Sequence, residues 1–345
     1  MDSFPPRAAY RQVDWFSPMS GPKIEKSLSQ AVFIAGPTAA GKSEIAICLA
    51  EKLVGEIISV DSMQVYRGMD IGTAKASLQE RGRVPHHLVD ILDINQAFDA
   101  AQFARLARDA AEQIRGRSRV PIFCGGTGLY FNALLHGLGN APPADAALRA
   151  ELEEKSIEEL LRELSDRDPV TYNRIDRQNP RRIIRAIEVI RLTNKPFSEQ
   201  RGIWQAPDAL TANQHTPIFV VARVAADLRQ RIEVRVEEMF ERGLVRETEA
   251  LLQQGLAGNE TAMQALGYRQ VAEYLNGVRS LPQTIELVKI RTRQLAKRQM
   301  TWFRKQPNTI WLQMTLSDSS EIVADRIISN YLPKLYRRIT SATAH

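Results

Sequence analysis

Gly36-Pro37-Thr38-Ala39-Ala40-Gly41-Lys42-Ser43 is a complete phosphate-binding loop by residue type and spacing. Such a loop captures anions. Its glycines let backbone N–H groups face the charge, and the next helix adds its positive dipole end. Lys42 neutralises charge and Ser43 offers a hydroxyl to Mg2+. The apolar run Ala31–Ala35 leads in as a buried parallel strand would, and Glu44–Ala50 continues with helical periodicity. A di- or triphosphate is the expected ligand of all eight residues. A glycine turn that binds nothing is the bland alternative, and strand-loop-helix context argues against it.

A second apolar run ends in Ser59-Val60-Asp61-Ser62-Met63-Gln64-Val65-Tyr66. Asp61 then projects close to the phosphate loop. It could position Mg2+ in an NTPase, act as general base toward a nucleophile, or merely cap the next segment. A third run ends in Cys124-Gly125-Gly126-Thr127-Gly128-Leu129-Tyr130, where the glycines allow close backbone approach to a ligand. Thr127 offers a hydroxyl at the rim and is also a good N-cap for a helix over Leu129–Leu135. The block Gly68–Lys75 is too irregular for a helix and too specific in polar content for a filler loop. His86 and His87 are expected in a loop, satisfied by backbone or titrating near neutrality.

Two basic elements follow. Asp227–Arg242 reads as an amphipathic helix with Leu228, Ile232, Val236, Met239 and Phe240 on one stripe. Arg231 and Arg235 sit at the stripe's edge, within reach of the phosphate crevice if the stripe packs on the sheet. From Glu286 to Lys305 a helix carries Lys289, Arg291, Arg293, Lys297, Arg298, Arg304 and Lys305 against a single acid. That imbalance suits phosphate-backbone contact, with Trp302 either stacking on a base or buried.

The elements that position these groups read as an α/β fold: a P-loop doubly wound parallel sheet with a helical insertion domain. Strands are expected at Ala31–Ala35, Glu56–Val60, Val120–Cys124, Pro217–Val221 and Thr309–Met314, with a helix over Ala101–Ile114. Residues 31–139 and 213–335 form the catalytic core, and residues 140–212 the insertion. Asp145–Leu164 and Pro180–Leu192 are the insertion's expected helices, their charges mostly a solvated face. Residues 1–30 look like a disordered or loosely docked extension.

Composition limits the partners. The 345 residues carry a net charge of +6, with 44% hydrophobic and 25% charged residues, as in ordinary soluble proteins. A pI near 9.4 is compatible with a nucleic acid partner. Cys48 and Cys124 lie in apolar runs, and the five histidines have no zinc spacing. No run of 18 apolar residues exists, so no membrane partner and a cytoplasmic location are expected.

Taken in order, these motifs resemble those of the tRNA dimethylallyltransferases, or tRNA isopentenyltransferases, of bacterial type. The resemblance spans about residues 31 to 315 and rests on Gly36–Ser43, Ile58–Gln64, Gly68–Lys75, Gly125–Tyr130, Asn179–Arg182, Gly267–Gln270 and Arg293–Trp302. It implies transfer of a dimethylallyl group from dimethylallyl diphosphate to the exocyclic 6-amine of the adenosine 3′ of the anticodon. It also implies Mg2+ at Ser43, Asp61 as proton acceptor, and Thr127, Arg231 and Arg235 as further catalytic groups. The tRNA anticodon stem-loop would meet Asp61, Ser62, Met63, Gln64, Thr127 and Arg149. It would also meet Asn179, Pro180, Arg181, Arg182 and Ile183, then Gln264, Ala265, Leu266, Gly267, Tyr268 and Arg269. Lys297, Arg298, Gln299, Trp302 and Arg304 complete that expected surface, on a monomer. The rivals are a P-loop kinase or NTPase, and a noncatalytic RNA-binding switch. Thr193-Asn194-Lys195-Pro196-Phe197 begins like a guanine-specificity motif but has Phe197 where the Asp belongs.

Overall fold

The structure, a computed structural model, describes Leu28 and residues 30–137, 141–200 and 217–342. The expected extension (other than Leu28 and Gln30) and the insertion boundaries at 140 and 212 lie outside these residues. Leu28 itself is buried in the core.

Six strands, β1 (Val32–Ala35), β2 (Gly55–Val60), β3 (His86–His87), β4 (Val120–Gly125), β5 (Ile218–Arg223) and β6 (Thr309–Met314), form one sheet. Every pairing is parallel, in the order β3-β2-β4-β1-β5-β6. Strands buried on both faces read as continuous apolar runs, which is why five were visible in sequence. Alternate residues divide between two cores, as the two-residue period of a strand requires. Val32 and Ile34 pack with Ile45 and Leu49 of α1 (Lys42–Lys52). Phe33 and Ala35 face the other way, where the Phe33 ring stacks on Phe123 at 4.9 Å.

On that second face lie α3 (Ala100–Gly116) and α4 (Gly128–His136), with the short α2 (Leu78–Arg83) preceding them in the chain. The histidine pair departs from expectation. It is a sheet-edge strand, not a loop: His87 Nε2 lies 2.6 Å from the buried Glu56 carboxylate, and His86 Nδ1 lies 2.7 Å from the Val84 carbonyl. Burial pushes the His86 imidazole below its ordinary range.

Between β4 and β5 come α5 (Ala146–Glu153), α6 (Ile157–Arg167), α7 (Pro169–Arg174), α8 (Pro180–Thr193) and α9 (Phe197–Gln200). Leu152, Leu160, Leu164, Ile183 and Ile187 give these helices a core of their own. The single helix expected over Asp145–Leu164 is two. Ser156 starts the second with a capping box: its N–H donates to Glu159 Oε2 at 3.0 Å, and its hydroxyl accepts the Glu159 N–H at 3.2 Å. Asn194 takes the left-handed C-cap of α8 and accepts from Arg167 at 2.8 Å, which accounts for the apparent guanine motif.

The chain finishes with α10 (Ala225–Glu241), α11 (Leu244–Gln253), α12 (Tyr268–Leu275), α13 (Leu281–Arg304), α14 (Ser320–Tyr331) and α15 (Pro333–Ala342). The α10 stripe divides: Ile232 and Val236 pack with Val288 and Ala296 of α13 and with Ala39 of the phosphate loop, while Met239 and Phe240 pack against the core on the second sheet face. Among the described residues no helix is long and apolar enough to cross a membrane.

Candidate active site

The carboxyl ends of β1, β2 and β4 open on one cleft of about 1810 Å3, whose far wall is the insertion. The crevice beside β1 is where a doubly wound sheet binds ligands, because the loops diverge there. Gly36 leaves β1 at φ 143°, and any Cβ on it would sit 2.4 Å from the Val221 carbonyl oxygen of β5. Only glycine lets the loop start this close to the neighbouring strand.

The loop is held from outside by its carbonyls. Arg223 Nε donates to Ala40 O at 2.9 Å while its Nη1 donates to Asp227 at 2.8 Å. Arg231 Nε donates to Ala39 O at 2.9 Å. The N–H groups of Lys42 and Ser43 then stand in the first turn of α1, where amides have no intrahelical partner. Lys42 Nζ donates to Pro37 O at 2.8 Å, and burial pushes its ammonium down to about 8. The Ser43 hydroxyl lines the cleft and makes no hydrogen bond among the described residues. Thr38 was expected to offer its amide to the anion. That N–H instead donates to Gln299 Oε1 at 2.9 Å, so Thr38 faces the cleft through its side chain.

Asp61 follows β2 and uses only half its carboxylate within the protein. Oδ1 accepts the N–H groups of Met63 at 2.8 Å and Gln64 at 3.3 Å, which is the expected capping role. Oδ2 accepts no hydrogen bond among the described residues, and the side chain lines the cleft. The turn is braced in layers. Gln64 Oε1 accepts the Ser59 hydroxyl at 2.8 Å, and its Nε2 donates to Thr73 O at 3.3 Å. Lys75, fully buried, donates to Asp70 and Asp90 at 2.5 Å each and to Tyr66 O at 2.7 Å. Glu247 accepts the Ile71 N–H at 2.9 Å and the Tyr268 hydroxyl at 2.6 Å. The polar content of Gly68–Lys75 is thereby explained: it anchors the Asp61 turn.

Thr127 occupies the N-cap position of α4, yet its side chain makes no capping bond and lines the cleft. Gly125 and Gly126 were expected to admit a ligand. Both line the cleft, and a Cβ there would also meet Val60 O at 2.1 Å and Gln299 Nε2 at 2.4 Å, so protein packs closely against them too. Burial pushes the Cys124 thiol up to about 11, which keeps it protonated beside Lys42. Of the two candidate arginines, Arg235 lines the cleft and Arg231 does not. Burial lowers the Arg235 pKa against the opposing pull of the Asp61 charge, and no ion pair covers it among the described residues.

The expected RNA contacts divide. Ser62, Met63, Asn179, Arg181, Arg182 and Arg149 line the cleft. So do Gln264, Ala265, Leu266, Arg298, Gln299 and Trp302. Arg149 spends two of its N–H groups on the fully buried Glu188, at 2.9 and 3.1 Å, and Arg181 pairs with Glu260 at 3.2 Å. Ile183 and Tyr268 are corrections: both are fully buried, Ile183 in the insertion core and Tyr268 under Glu247. Gln64 also lines the cleft, with its amide bonded to Ser59 and Thr73. Pro180, Gly267, Arg269 and Arg304 lie off the cleft wall, with Arg269 on Glu273 at 3.2 Å.

The basic helix also differs from expectation. Lys289 pairs with Glu237 at 2.8 Å and Arg293 with Glu233 at 3.0 Å, both acids on α10. Lys297 and Arg298, one turn on, are exposed and unpaired among the described residues, and they flank a shallow apolar pocket with Trp302 and Lys305. Sequence reasoning missed Arg223 and the cleft-facing Arg174 and Arg185. Arg223 ends β5 and so stood at a readable position; the other two were hidden among the insertion's many charges.

Known proteins match this arrangement. A model of the IPP transferase family matches residues 64–306. The chain is 43% identical over 300 residues to tRNA dimethylallyltransferase 1 of Pelobacter propionicus, covering 86% of this chain and 94% of that one. It is 44% identical over 292 residues to tRNA dimethylallyltransferase of Geobacter sulfurreducens, covering 83% and 93%. The crystal structure of the full-length tRNA isopentenylpyrophosphate transferase from Bacillus halodurans matches with a TM-score of 0.65 and 38% identity, covering 92% and 99%. A eukaryotic dimethylallyltransferase captured acting on tRNA matches with a TM-score of 0.71 and 28% identity, covering 88% and 79%.

Proposed function

The chain belongs to the IPP transferase family, and on that premise we propose that it transfers a dimethylallyl group from dimethylallyl diphosphate to the exocyclic 6-amine of the adenosine 3′ of the anticodon in tRNA. One observation carries this reading: the unbonded oxygen of Asp61 and the phosphate loop ending at Ser43 open on the same cleft. A kinase or NTPase would use the same loop. It would not need an opposite wall of Arg174, Arg182 and Arg185, a run of cations suited to a nucleic acid.

The amine nitrogen attacks C1 of the dimethylallyl group, the C1–O bond breaks, and diphosphate leaves with the electron pair. A free aryl amine is far too weak an acid for a carboxylate to ionise outright. The proton therefore passes to Asp61 Oδ2 as or after the carbon–nitrogen bond forms. The turn through Met63 and Gln64 gives Oδ2 its placement, which matters more here than unusual basicity. Thr127 offers its hydroxyl on the same side. Charge developing on diphosphate meets the amides at the start of α1, Lys42 and Arg235, all fixed before reaction.

Mg2+ fits this donor set. Among the described residues no three acidic, His or Cys side chains converge as a protein cage, while the free Ser43 hydroxyl faces the diphosphate position. That is the pattern of an ion held by a hydroxyl, substrate phosphates and water. Bound there, Mg2+ would neutralise leaving-group charge.

The anticodon loop is single-stranded, so its adenosine can be splayed into the cleft at low cost. Arg182 and Asn179 on the insertion would hold the stem-loop from one side, Arg298 and Trp302 from the other. One chain supplies every group named, so a monomer suffices, acting in the cytoplasm where tRNA is found. The test is direct: protein, tRNA, Mg2+ and dimethylallyl diphosphate should yield prenylated adenosine by nucleoside mass spectrometry. Phosphate release from ATP without that nucleoside would move the protein to the kinase or NTPase class.

A further inference from the structure

We infer that Gln299 is a positioning residue for the phosphate loop rather than an RNA contact. Its carboxamide joins the phosphate loop to the loop after β4 at the base of the cleft. Oε1 accepts the Thr38 N–H of the loop at 2.9 Å, and Nε2 donates to the Gly126 carbonyl after β4 at 3.1 Å. Gly126 lies so close that a Cβ on it would stand 2.4 Å from Nε2 and 3.1 Å from the Gly36 carbonyl oxygen. The amide is thus wedged where the first glycine of the phosphate loop meets the loop after β4.

The geometry demands both halves of a carboxamide. Thr38 presents a donor and Gly126 an acceptor, so the bridging group must accept at one end and donate at the other. Glutamine does this without charge, beside a site built for a polyanion. Neighbouring Lys297 and Arg298 are exposed on the same helix, while the half-buried Gln299 is the uncharged group that reaches the base of the phosphate loop. With the brace in place, Thr38's amide is withdrawn from the anion cradle and the loop's remaining amides are held in register. Because this inference rests on the proposed diphosphate role of the loop, its test uses binding and needs no turnover.

Gln299→Met keeps length and removes both hydrogen bonds. Two bonds of about 0.5–1.5 kcal/mol each correspond to roughly tenfold weaker inorganic diphosphate binding. Anticodon stem-loop affinity, measured without diphosphate, should stay within about twofold. Gln299→Glu sharpens the reading. Ionised, it sets a carboxylate oxygen against the Gly126 carbonyl and adds negative charge beside the anion, so diphosphate binding at pH 8 should fall further than in Gln299→Met. Protonated, the acid is shaped and hydrogen-bonded like the amide, and because a carboxyl set against the Gly126 carbonyl and a bound anion titrates above its free value, its deficit relative to the native protein should shrink as pH falls to about 5. A purely structural role would lower thermal stability without that pH-dependent recovery. Reduced RNA affinity with unchanged diphosphate affinity would overturn the inference, and so would a Gln299→Glu deficit that does not change with pH. A native protein that binds diphosphate and RNA but makes no prenylated adenosine would sink the proposed function and leave this assignment standing.

Discussion

Asp61 Oδ1 accepts the Met63 N–H at 2.8 Å, and this one bond decides which face of the carboxylate is available for chemistry. The bond makes Asp61 both the cap of its own turn and a fixed acceptor in the cleft. Capping and the proposed proton transfer are not rival uses of the residue: the first would aim the second.

Lys42 sets a pH limit on diphosphate binding. Burial disfavours the charge and pushes its ammonium down to about 8. An anion in the loop favours the charged form and raises that value, so binding above about pH 8 takes up a proton. Affinity for dimethylallyl diphosphate should be best below pH 8 and weaken by up to about tenfold per pH unit above it. Calorimetry in two buffers of different ionisation enthalpy would read the proton uptake directly. Lys42→Met should bind weakly and lose this uptake.

Arg235 and Arg231 should separate cleanly. Arg235 faces the cleft unpaired, so Arg235→Met should cost about 10²-fold in kcat/KM for the diphosphate substrate. Arg231 only braces the Ala39 carbonyl, so Arg231→Met should cost about fivefold, the worth of one hydrogen bond. Steady-state kinetics with varied dimethylallyl diphosphate makes the comparison.

Cations on α13 should also divide by pairing. Replacing unpaired Lys297 and Arg298 with Ala should lower the slope of log K against log salt for RNA by about 1.5. Replacing Lys289 and Arg293, each tied to an α10 carboxylate, should leave that slope nearly unchanged. Fluorescence anisotropy with an anticodon stem-loop across a salt series distinguishes the pairs.

Lys75 is the buried pin of the Asp61 support. Lys75→Met leaves Asp90 on Arg81 and the Tyr66 carbonyl on the Met69 N–H at 3.4 Å, but strips the Asp70 carboxylate of its partner. Unfolding free energy should drop by about 3 kcal/mol in urea titration. The variant still folded at low denaturant should show reduced kcat with little change in RNA affinity.

Much of this was legible in the sequence, for identifiable reasons. Long strands such as Val120–Gly125 are buried on both faces and announce themselves as apolar runs. His86–His87, two polar residues, carry no such signal and become a strand only because β2 offers an edge. The break before α6 was readable from Ser156 and Glu159, since a capping box is local. Charge pairing was not readable, because Glu233 reaches Arg293 only after α10 folds back on α13. The same limit hid Gln299, whose two partners come from the far ends of β1 and β4. Residue types at strand ends announced the chemistry; which of them touch substrate depended on contacts between distant segments.

The most direct test of the central claim is Asp61→Asn assayed by single turnover, with tRNA affinity measured on the same preparation. Asparagine keeps the Oδ1 turn and removes the proton acceptor. Prenyl transfer should slow by about 10²-fold or more while tRNA affinity stays within about threefold. Native-like single-turnover transfer, or a loss confined to tRNA binding, would contradict a general base at Asp61.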